Sequence, residues 1–113
     1  MTTVTMTIEQ VVAAVGRVEA GEVVAWIERG WVLCAETTPA PRLRPIDTAR
    51  VALIRDLVRD LGLDEEAIPV VLSLVDQLHG LRRRLDALAE AVDAQPEAVR
   101  AAILRHAAGA AKD

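Results

Sequence analysis

Side chains that act as nucleophiles, general bases or metal ligands are scarce in this 113-residue chain. There is one Cys (Cys34), one Ser (Ser73), two His (His79 and His106) and no Tyr. Ser73 lies in an apolar helical stretch with no His near it in sequence, so it lacks the base that would activate it. Cys34 sits inside the strand-like run WVLCAE and reads as a buried, inert thiol. One Cys cannot make an internal disulfide or a multi-Cys metal site. Neither His has a second His or a carboxylate at convincing ligand spacing, and no Gly-rich phosphate loop is present. These residues point away from an enzyme and imply no metal and no cofactor.

Charge is the remaining recognition chemistry, and it is unevenly spread. Residues 1–40 hold five Glu against two Arg, net −3. Residues 41–62 are net +2, residues 63–80 are −4 with no Lys or Arg, and residues 81–113 are +1. Three groups stand out: Glu19, Glu22 and Glu28; Asp64, Glu65 and Glu66; and Arg82, Arg83 and Arg84. The first is either a solvated helix face or a surface for a basic partner. The second suits a helix start, where the dipole favours acids. The third reads as outer charges flanking an apolar helix stripe. The total of −4 gives nucleic-acid binding no help.

Composition sets the elements that must position these groups. Apolar residues make up 52% of the chain but aromatics only 2%, Trp26 and Trp31 being the whole stock. Ala occurs 20 times, which favours helices with aliphatic cores. No apolar run reaches the roughly 18–20 residues of a membrane span. The start MTTVTMTIEQ lacks the basic and apolar regions of a secretory signal, so the expected compartment is the cytoplasm.

Thr7 opens a capping-box pattern with Gln10. It predicts a first helix over 8–15 that buries Ile8, Val11, Val12 and Val15 and stops at Gly16. A second helix is expected from Glu19 to Arg29, with Val23, Trp26 and Ile27 inward and Gly30 closing it. Together they read as a helix-turn-helix. Residues 31–36 and 42–46 read as a hairpin wing around the loop TTPAP, with TTVTM at 2–6 as a candidate third strand. Asp47 is the expected N-cap of a third helix over 48–61, with Leu61 on its apolar face and Gly62 ending it. Asp64 is the expected cap of the fourth, which Pro69 is expected to bend just past its first turn.

Within that fourth helix the apolar residues fall into heptads. Val71, Leu74, Leu78, Leu81, Leu85, Leu88 and Val92 alternate spacings of three and four over three heptads. A helix over 65–93 would be about 43 Å long, more than a 62-residue head can cover, so the seam predicts a homodimer. Pro96 opens a short last helix to about Ala108, with Val99 and Ile103 as its stripe. The expected fold is mainly α: a winged helix-turn-helix head over 1–62, a dimerising coiled-coil helix over 63–95, and a short helix with a frayed tail over 96–113.

Helix-turn-helix, wing, helix and long heptad helix form a layout that resembles MerR-type regulators, most closely in DTARVALIRDLVRDLGLDEEAIPVVLSL at 47–74. The stretch VALIRDLVRDLGLDEEAIPVVLSLVDQLHGLRRRL at 51–85 is similar to something narrower, the chaperone modulators of the CbpM family. The opening VTMTI at 4–8 resembles that family too. The resemblance implies a protein that binds the J-domain of a CbpA or DnaJ-type co-chaperone and inhibits it.

MerR-type recognition helices supply a Thr, an Arg and a Tyr pair ahead of the closing glycine. Counting back from Gly30, this chain places Trp26 and Ala25 at the Tyr pair, Val24 at the Arg and Glu22 at the Thr. Glu19, Glu22 and Glu28 would face phosphates with the wrong sign. The expected J-domain surface is therefore Glu19, Glu22, Trp26 and Glu28, with Trp26 as its apolar anchor. The competing expectation is a MerR-type transcription regulator with an atypical recognition helix.

Overall fold

A computed structural model describes residues 4–111. The protein is mainly α, with five helices and one two-stranded sheet among these residues. It divides into two compact units, one ending at Leu72 and one beginning at Ser73. The break falls ten residues beyond the boundary read at Gly62, because Ile68 and Leu72 are buried in the first unit's core.

The first unit opens with strand β1 (Met6–Thr7) and helix α1 (Ile8–Val15). The capping box forms as its residues dictate. Gln10 N donates to Thr7 Oγ1 at 3.2 Å, and Thr7 N donates to Gln10 Oε1 at 2.9 Å. Ile8 and Val11 are buried, and Val12 and Val15 pack against the core half-buried. Gly16 then takes φ +75°, left-handed backbone that glycine adopts at least cost. Arg17 follows at φ +54°. Helix α2 (Ala20–Glu28) begins after Glu19, with Val23 and Trp26 buried.

Residues 31–36 are not the expected strand. Trp31 N and Val32 N donate to the carbonyl of Trp26, at 2.9 and 3.3 Å, so the end of α2 takes the donors that a ladder would need. Pro39 and Pro41 have no N–H to offer. What remains of the wing is one bridge between Glu36 and Arg42. Strand β2 (Arg42–Leu43) pairs antiparallel with β1 instead, Met6 opposite Leu43 and Thr7 opposite Arg42. The N-terminal strand is thus the main pairing, of which Met6 is the part within the expected 2–6; residues 2 and 3 lie outside the described residues. Arg42 ties the pair further, its Nε donating to Thr5 Oγ1 at 2.7 Å.

Helix α3 (Pro45–Arg59) starts earlier than expected. Pro45 occupies the first helical position, where its missing N–H is no loss. Asp47 is therefore inside the first turn, not at the N-cap. Its carboxylate reaches back to accept from Arg44 N at 3.1 Å and Arg44 Nε at 3.0 Å. That bonding lets a carboxylate be buried. Val51, Ile54 and Leu57 are buried below it, whereas Leu61 lies past the helix end and is exposed.

Helix α4 (Ala67–Asp93) has 27 residues, about 40 Å. Residues 65–66 form a turn before it, and Asp64 meets the helix through its carbonyl, which accepts from Ala67 N at 2.9 Å. Pro69 is consequently the third helical residue, where no intrahelical hydrogen bond is lost. In the second unit, helix α5 (Glu97–Ala111) follows a three-residue link and runs beyond Ala108. No residue from 73 to 110 is buried.

Candidate functional site

The acidic set of α2 separates into one residue held in place and two left free. Glu22 is a helix-start residue: its Oε1 accepts from Glu19 N at 3.1 Å. The same carboxylate pairs with Arg59 of α3, and Arg59 Nε donates to the carbonyl of Arg17 at 3.1 Å. Glu22 thus joins the clasp that fixes the turn between α1 and α2. Arg17 reaches both carboxylate oxygens of Asp60 at 3.1 Å, and Arg55 donates to the carbonyls of Val15 and Gly16. Glu19 and Glu28 are exposed and take no side-chain ion pair among the described residues.

Trp26 cannot anchor a partner. It is 5% exposed, packed in the core with Val23. Val23, three residues earlier, is buried with it, since residues three and four apart share a helix face. The large apolar residue that α2 does present is Val24, 39% exposed. Gly21, Val24 and Glu28 recur at spacings of three and four and are all exposed. This outward face was readable by the periodicity that places Val23 and Trp26 inward. Arg59, in contrast, gives no local signal, because its partners lie 37 and 42 residues away.

Arg29, the only basic residue at the end of α2, is occupied. Its Nη1 lies 2.9 Å from Glu65 Oε1, and its guanidinium sits 5.0 Å from the Trp31 ring centroid. Arg50 Nε donates to the Trp31 carbonyl at 2.9 Å. Of the acids before α4, Glu65 is therefore partnered, and the α2 surface is left with two acids and no free cation among the described residues.

The seven seam residues are not brought together with anything across most of their length. Val71 packs half-buried against the head's core, and Val92 is half-buried in the second unit. Between them Leu74, Leu78, Leu81, Leu85 and Leu88 are each about 60% exposed.

The remaining chemistry-bearing residues stay apart. Ser73 accepts from Gln77 Nε2 at 3.3 Å, and His79 and His106 are exposed. Cys34 is half-buried, and burial together with the nearby Asp47 charge pushes its thiol above the usual range, which disfavours the reactive thiolate. Among the described residues no three His, Cys, Asp or Glu side chains are grouped to hold a metal ion. No helix is long and apolar enough to cross a membrane. Comparisons with protein-family models, with curated proteins and with solved structures return no match.

Proposed function

We propose that the protein is a cytoplasmic chaperone modulator that binds the J-domain of a CbpA or DnaJ-type co-chaperone and inhibits it. In this reading the first unit is a winged helix-turn-helix head turned from DNA to protein, and the α4 seam makes a homodimer. The carrying observation is the outward face of α2. Where a phosphate-reading helix needs cations, it presents Gly21, Val24 and Glu28, with Glu19 at its start and Arg29 already paired to Glu65. The CbpM-like stretch at 51–85 supplies the identity of the basic partner, since J-domains present a basic helix to their DnaK-type chaperone. Glu19 and Glu28 would speed encounter and set orientation, and Val24 would supply apolar contact in the place expected for Trp26.

The alternative, a MerR-type regulator, draws support from the element order and from the basic stretch 41–62. Its cations are committed elsewhere: Arg42 to Thr5, Arg44 to Asp47 and Arg50 to the Trp31 carbonyl. Titration of a purified CbpA-type J-domain tests the reading, with wild type against Glu19→Arg with Glu28→Arg. The expected result is slower association and a reduced or inverted salt dependence for the variant. Unchanged affinity and salt slope would remove α2 as the docking surface. Retardation of random duplex DNA at micromolar protein, steeply dependent on salt, would favour the regulator.

A further inference from the structure

We infer that a second copy of this chain completes the unit beginning at Ser73, and that it does so through α5 as well as α4, in a four-helix bundle. The inference rests on the homodimer reading above and specifies which surfaces form the interface. A bare two-stranded coil needs only a narrow stripe at the two core positions of the heptad. The second half of α4 is wider than that. Around Leu88 and Val92, the flanking positions are Ala89 and Ala91, and Ala87 lies beside them.

Helix α5 carries its own uncovered stripe. Val99, Ile103 and Leu104 are all exposed, and so are Leu85 and Leu88. The two helices of one chain therefore do not cover each other's apolar residues, even though only Ala94, Gln95 and Pro96 separate them. Burial within the unit stops at half-buried positions such as Val92, Arg100 and Ala101. An isolated 15-residue helix is marginal in water, so α5 needs cover as much as α4 does.

Charge selects a second copy as the occupant. From Asp86 to Asp93 α4 holds three acids and no base, whereas α5 holds Arg100 and Arg105 against Glu97. None of these six side chains takes an ion pair within the chain among the described residues. An acidic α4 end and a basic α5, each with an open apolar stripe, complement one another when two copies meet.

The test compares the full chain with Val99→Ala, Ile103→Ala and Leu104→Ala combined, by sedimentation equilibrium. Alanine is the best helix former, so weaker association cannot come from unwinding α5. The expected result is a wild-type dimer whose dissociation constant rises at least about a hundredfold in the variant. A dimer weakened less than about threefold would overturn the role of α5 and leave the α4 seam standing. A wild type that stays monomeric at about 100 µM would overturn both.

Discussion

The two units hold similar side chains and use them differently. Up to Leu72, short elements running in different directions converge on Val11, Val23, Leu43, Ile54 and Ile68, and each is fully buried. From Ser73 onward, five Leu stand about 60% exposed and nothing is buried up to residue 110. Hydrophobic content therefore does not distinguish the units; topology does. A stripe along a helix reaches only one direction, and without a second helix against it the apolar area stays in water. The first unit closes a core of its own, and the second leaves its apolar stripe open.

The largest effect that sharpens this contrast is in the head. Ile54→Ala removes a fully buried side chain and should cost about 2–5 kcal/mol. Denaturant unfolding followed through the buried Trp26 should report that loss equally at low and high protein concentration. Leu81→Ala should leave the same transition unmoved under dilute conditions. Equal losses for both would erase the distinction between the units.

Next in size is the seam itself. Leu78→Glu with Leu81→Glu should convert the chain to monomer by sedimentation while Trp emission keeps its native position. Loss of the native emission in that variant would mean that the head depends on the second unit after all.

Smaller still is the clasp on the turn between α1 and α2. Arg59→Ala removes the Glu22 pair and one bond to the Arg17 carbonyl. Both side chains keep contact with water, so about 1 kcal/mol or less is expected by denaturant titration. The smallest readout is Cys34. Its raised thiol ionisation favours the neutral form in the folded state, so alkylation near neutral pH should be slower than in the unfolded chain. The associated stability should persist at lower pH and fade as pH rises through the elevated ionisation range. Equal alkylation rates would show that the head does not shield position 34.

Local rules made much of the head legible. Thr7 and Gln10 fixed the start of α1, and periodicity placed Val23 inward and gave the 8–15 and 20–28 helices nearly to the residue. Errors arose where distant groups decide. Trp26's carbonyl takes the N–H groups of Trp31 and Val32, which removed the expected strand. Pro45, read as a strand end, opens α3, because one proline suits both places. On α2 the three Glu looked alike, but Arg59 of α3 claims Glu22 and leaves Glu19 and Glu28 open. The heptads were visible because their repeat is local, and what covers them is not a local property.

Residue-resolved hydrogen exchange over a dilution series tests most directly the claim that the first unit is self-sufficient and the second needs another copy. Amides of α1, α2 and α3 should keep their protection at every concentration. Those from 74 to 110 should be protected when the protein is concentrated and lose protection together as it is diluted below its dissociation constant. Protection of 74–110 that persists in a sample shown to be monomeric would contradict the account.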